Sequence, residues 1–98
     1  MTDRATRIAS IRALADILDA CPDLPVPVDA FISVYTGDEL AAVEQLLRAQ
    51  AQLNAAEVPS RREPEISRGK HLIVAFDLPG FHYEAFRRLG VDTAKAVA

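Results

Sequence analysis

The chain has 98 residues, of which half are hydrophobic and 26% are charged, and its formal net charge is −3. This length and composition predict one globular domain with one modest core rather than a disordered segment. No apolar run is long enough to cross a bilayer, and the N-terminus lacks the apolar block of a signal peptide. The single cysteine, Cys21, cannot form an internal disulfide, which indicates a reducing, cytoplasmic location.

The charges are divided unevenly along the chain. Residues 1–57 hold nine acidic residues and four arginines, whereas residues 58–98 hold seven basic and five acidic residues. Such a split can orient a molecule toward a charged partner, but a pI of about 5.2 argues against general nucleic-acid binding.

The N-terminal part predicts a helix that starts after Thr2 or Asp3, runs to about Ala20 and leads into a linker. Three prolines within residues 22–28 end the helix and hold the linker extended. The helix carries an apolar stripe at helical spacing, so we expect Leu14 and Leu18 to lie in the core. The stripe consists of Ile8, Ile11, Leu14, Ala15 and Leu18, broadened by Ile17.

A strand and a second helix are predicted next. Residues 29–36 are rich in β-branched and aromatic side chains, which favours a strand. Thr36 and Glu39 have the spacing of a capping box for a helix that frays near Asn54. Its expected inner stripe is Leu40, Val43, Leu46, Leu47, Gln50 and Leu53.

The C-terminal part predicts an antiparallel hairpin. Residues 58–65 contain two prolines and read as a loop or irregular edge, and a strand follows over residues 68–77. Pro79 and Gly80 fit a type II turn, which sets Leu78 opposite Phe81 and Phe76 opposite Tyr83. Gly90 ends the last strand.

Beyond Gly90, Asp92 or Thr93 is expected to cap a short helix that runs through Val97. An alternative is that Tyr83–Leu89 is helical, with Gly90 as its C-cap. The favoured fold is α+β in the order α-β-α-β-β-α. It has a small three-stranded sheet with the helices packed mainly on one face.

One block resembles a known signature. Leu14-Ala15-Asp16-Ile17-Leu18 followed by Pro22-Asp23-Leu24-Pro25-Val26-Pro27 is similar to a pattern in a family of small uncharacterised proteins of actinobacteria and their phages. The resemblance implies a phage or mobile-element setting. It implies no activity, no cofactor and no site residue.

The acid–base candidates are Asp77, His82 and Glu84. The hairpin register places Asp77 opposite His82, with Glu84 diagonal to both. Two carboxylates and an imidazole could bind a divalent metal, but cross-strand pairs of this kind are common in hairpins. No phosphate loop, nucleophile motif or zinc motif occurs. We therefore expect a protein that is not an enzyme and that has neither a metal nor a cofactor.

Two interaction surfaces remain. Ile73 and Phe86 are expected side by side on the hairpin face opposite Phe76 and Tyr83, where a second copy or a host protein would cover them. Arg88 and Glu84 would form the rim of this contact, and protein binding is the favoured function. The alternative is a small nucleic-acid-binding or regulatory protein. It would use the basic residues Arg61, Arg62, Arg68, Lys70, Arg87 and Arg88.

Overall fold

A computed structural model describes residues 3–35, 37–60, 63–67 and 70–97 of the chain. The described elements are three helices and four strands in an α+β fold. In chain order they are α1 (Arg4–Ala20), β1 (Asp29–Ser33), α2 (Glu39–Ala55), β2 (Glu65–Ser67), β3 (His71–Leu78), β4 (Phe81–Arg88) and α3 (Val91–Val97).

The strands form one four-stranded sheet in the order β1-β4-β3-β2. β1 runs parallel to β4, while β2 and β4 each run antiparallel to β3. The predicted three-stranded sheet and the α-β-α-β-β-α order are wrong in this respect, because β2 adds a short edge strand. Pro64 directly precedes β2, a position where the missing N–H removes no ladder hydrogen bond.

The hairpin register is confirmed along its whole length. Leu78 pairs with Phe81, and Phe76 pairs with Tyr83. Gly80 has a φ of 76°, the positive value that a type II turn requires at its third position. The alternative of a helix over Tyr83–Leu89 is wrong, because β4 continues to Arg88.

The core lies between α2 and the face of the sheet that carries Leu72 and Val74. Val43 and Leu46 of α2 are almost fully buried. Leu40 and Leu47 are exposed instead, so the helix buries a narrower stripe than predicted. Among the described residues, the buried apolar side chains are Val34, Ala42, Val43, Leu46, Leu72, Val74, Leu89 and Ala94.

The N-terminus of α2 is capped differently from the prediction. The Asp38 carboxylate accepts a hydrogen bond from the Ala41 backbone N–H at 2.8 Å, and Asp38 is the N-cap. The predicted cap, Thr36, lies outside the described residues. Glu39 accepts from the Gly90 N–H at 2.8 Å and so ties the start of α2 to the start of α3.

The bounds of α1 agree with the prediction, but its packing does not. Asp3 caps the helix by accepting from the Thr6 N–H at 2.8 Å, and the helix ends at Ala20. None of its residues is buried. Leu14 is 45% exposed and Leu18 is half-buried. We predicted that Leu14 and Leu18 lie in the core and that α1 packs on the sheet. Both predictions are therefore wrong.

The last helix begins at Val91, so Asp92 lies in its first turn rather than capping it. The same holds for Thr93, which lies further inside the helix. Within the described part of the chain, no helix is long and apolar enough to span a membrane.

Candidate functional site

The sheet has one face that α2 does not cover, which we call the open face. Among the described helices, α2 makes the extended contacts with the strands, and it packs on the Leu72 and Val74 side. Side chains alternate across a strand, so the register assigns every second residue to the other face. The open face carries Asp29, Phe31, Ser33, His71, Ile73, Ala75, Asp77, His82, Glu84, Phe86, Arg88, Glu65 and Ser67.

Ile73 and Phe86 form the apolar centre of the open face. They are direct partners across β3 and β4, on the side opposite the stacked rings of Phe76 and Tyr83, as the sequence predicted. Both are half-buried, in part because the His71 ring meets the Phe86 ring edge-on at 6.2 Å.

Phe31 extends this apolar centre toward β1. It is 56% exposed, and its ring lies 5.7 Å from that of His82. The sequence analysis did not include it, because the parallel pairing of β1 with β4 joins segments far apart in the chain. The sequence signal for its position was the alternation along the strand, which places Phe31 on the same face as the polar residues Asp29 and Ser33.

A histidine held between two carboxylates lies beside Phe31. His82 Nδ1 is 2.7 Å from an Asp77 carboxylate oxygen, and His82 Nε2 is 3.2 Å from Glu84 Oε1. The hydrogen bond to Asp77, followed by that to Glu84, raises the pKa of His82. In the charged form both ring nitrogens donate, so the imidazolium bridges the two carboxylates.

The predicted contact between Asp77, His82 and Glu84 is therefore present, as an ionic cluster. In the described residues, no group of three or more His, Cys, Asp and Glu side chains is arranged to hold a metal ion. The cluster fixes the orientation of its three side chains on the open face.

A cleft of about 360 Å³ opens beside the cluster. Its wall includes four carboxylates, those of Glu63, Glu65, Asp77 and Glu84. Its apolar part includes Ile73. The lining of the cleft therefore combines carboxylates and His82 with apolar side chains.

Only some of the basic residues predicted for nucleic-acid binding lie close together in the structure. Lys70, Arg87 and Arg88 line a second cavity of about 430 Å³ together with Tyr35, at the end of the sheet where β4 stops. Arg87 Nη1 donates to the Val34 carbonyl at 3.0 Å, and its guanidinium lies 4.5 Å from the centre of the Tyr35 ring. Arg61, Arg62 and Arg68 lie outside the described residues.

No protein-family model matches this chain, and neither a curated protein nor a solved structure gives a significant match.

Proposed function

We propose that this chain is a non-enzymatic accessory protein of a phage or mobile element and that it acts by binding another protein. The resemblance of residues 14–27 to the actinobacterial and phage signature supports the setting. The open face supports the mode of action, because it places Phe31, Ile73 and Phe86 on a sheet surface that α2 leaves uncovered. That apolar group is the observation on which the proposal rests.

The charges around the open face define the partner's chemistry. Four carboxylates line the cleft next to Ile73, of which those of Asp77 and Glu84 are paired with His82, and Asp29 shares the face by register. Complementary charge steers association and rejects wrong partners. The contacting segment of the partner therefore carries an apolar side chain flanked by lysine or arginine.

The experiment compares tagged wild type with two variants of the open face in quantitative affinity purification from an actinobacterial lysate. Phe31→Ser removes the most exposed aromatic side chain of the face, and Phe86→Asp places a charge at its centre. The matched control is Val91→Asp, at an apolar side chain of α3 that is 72% exposed. We expect one stoichiometric protein that both open-face variants lose and the control retains.

The purified complex then tests the charge argument. Its affinity should weaken as salt rises, because screening reduces attraction between exposed charges. Circular dichroism of each variant separates lost binding from lost folding. If Phe86→Asp unfolds, the test relies on Phe31→Ser. Retention of the same partner by folded open-face variants contradicts the proposal.

One observation favours a second candidate function, binding of single-stranded nucleic acid. The exposed Tyr35 ring and the basic residues Lys70, Arg87 and Arg88 line the same cavity, and aromatic stacking beside positive charge is how single strands are held. Fluorescence anisotropy with a labelled single-stranded oligonucleotide tests it. Binding that is lost in Tyr35→Ala and Lys70→Glu supports this function, whereas no binding by wild type excludes it.

A further inference from the structure

The exposed apolar side chains are concentrated in the N-terminal third of the chain. Of fourteen large apolar residues that the described structure leaves exposed, ten lie before α2. Over residues 3–33, no side chain is buried. These ten are Ile8, Ile11, Leu14, Ile17, Leu24, Val26, Val28, Phe31, Ile32 and Tyr35.

None of the α1 residues is buried against the described part of the chain, so its apolar stripe is largely exposed. An isolated helix of 17 residues is only marginally stable in water, because most helical stability in proteins comes from packing an apolar face. The N-cap and the stripe are both those of a helix that packs.

The surface area of the chain points to the same missing contact. Its accessible surface is 7491 Å², whereas a compact monomer of this mass exposes about 5,500 Å². The radius of gyration is 15.5 Å, against about 13 Å for a compact chain of this length. The excess is about 2,000 Å² per chain, and removing it from two chains matches the area of an obligate homodimer interface.

The sheet also has a place for a second helix on the α2 side. Four strands span about 19 Å, whereas one helix is about 10 Å wide and covers about two strands. α2 makes its main contacts with β3 and β4. The β1 side keeps Ile32 at 45% exposed, and Leu78 at the hairpin turn is 51% exposed.

The linker joins α1 to β1 without bringing the helix into extended contact with the sheet. Its first part is a turn in which the Leu24 N–H donates to the Cys21 carbonyl at 3.0 Å. Pro25 and Pro27 then restrict the backbone, and the end of the linker is fixed where His82 N–H donates to the Val28 carbonyl at 3.0 Å. Because none of the α1 residues is buried in this structure, its apolar stripe is available to a neighbouring molecule. Exchange of an identical element between two copies is a low-cost route to a symmetric dimer.

We propose that two copies exchange α1, so that the Ile8, Ile11, Leu14 and Leu18 stripe of each copy packs beside α2 on the β1 side of the other copy's sheet. This interface uses the helix-bearing face and leaves the open face free. It therefore stands independently of the proposed function.

The first test is the oligomeric state by size exclusion with light scattering, from low concentration up to about 200 µM. We expect a dimer of wild type. Ile11→Asp should weaken dimerisation at least about tenfold, because it places a charge in a buried apolar contact. Ala13→Asp lies on the opposite side of α1 and adds the same charge, so it should remain dimeric. A wild-type monomer at the highest concentration overturns the proposal, as does equal weakening by both variants.

The second test identifies what α1 contacts. In a Cys21→Ser background, Leu14→Cys protein is mixed with Ile32→Cys protein under mild oxidation. A disulfide-linked heterodimer supports packing of α1 on the other copy's sheet. If instead Leu14→Cys forms linked homodimers by itself and no heterodimer appears, the helices pair with each other and the proposal is wrong.

Discussion

His82 is held from both sides by carboxylates, and this makes the hairpin sensitive to pH. The Asp77 hydrogen bond, with that of Glu84, raises the pKa of His82 above its ordinary value of 6.5. A raised histidine pKa means that the folded state binds the proton more tightly than the unfolded state does. The resulting stabilisation is complete below the unfolded pKa and is lost as pH rises through the folded pKa.

The free energy of unfolding should therefore fall as pH rises from below 6.5, the ordinary pKa of histidine, through the raised pKa of His82, as measured by urea denaturation. The matched variant His82→Gln should flatten the profile over this range. Asp77→Asn should reduce the slope, because it removes the first cause of the shift. A profile of His82→Gln that follows wild type would show that other groups control this pH range.

Asp3 and Glu39 act in a different pH range. Hydrogen bonds from Thr6 lower the pKa of Asp3, and those from Thr93 and Gly90 lower the pKa of Glu39. Their stabilisation is present above the unfolded pKa and is lost as pH falls through the folded value. The stability that these carboxylates lose at low pH is thus separate from the stability that His82 loses as pH rises.

Among the elements, α2 is stabilised both by a side-chain cap at its N-terminus and by apolar packing. Asp38 satisfies the Ala41 N–H, which has no partner inside the helix. Asp38→Ala should lower the free energy of unfolding by about 1 kcal/mol. Asp38→Asn retains an acceptor and should lose less, and equal losses in urea melts would show that the cap contributes through charge alone.

The same helix offers a matched pair for packing. Leu46 is 1% exposed, whereas Leu40 is 63% exposed. Leu46→Ala should destabilise by about 2–5 kcal/mol, and Leu40→Ala should stay within about 0.5 kcal/mol. Denaturant midpoints at constant slope measure both. A large loss for Leu40→Ala would show that this side of α2 is covered in solution.

The elements that the sequence predicted well are those set by local signals. The Pro79–Gly80 turn determined the whole β3–β4 register, and the apolar period of residues 39–55 located α2. The parallel pairing of β1 with β4 could not be predicted, because no turn links the two strands. The exposure of α1 could not be predicted either, since an amphipathic stripe indicates a packed helix without naming its partner.

Part of the candidate site was also predicted from local signals, and part was not. The contacts of His82 with Asp77 and Glu84 and the Ile73–Phe86 pair follow from the hairpin register, so the sequence predicted them. The position of Phe31 beside His82 depends on the β1–β4 pairing and was missed for that reason.

For the whole molecule, the net charge of −3 and the carboxylates around the open face oppose duplex DNA. We expect no binding tighter than micromolar at physiological salt in gel-shift or anisotropy titrations with a duplex. A micromolar or better affinity that falls steeply with salt would be phosphate binding and would contradict this prediction.

The parallel β1–β4 pair has a consequence for synthesis of the chain. Arg87 bonds to a carbonyl 53 positions earlier, so a segment of about this length must be synthesised after β1 before its neighbouring strand exists. At cellular translation rates that interval is roughly 3–10 s. The first strand to be made is thus paired only once the fourth strand of the sheet, β4, has been synthesised.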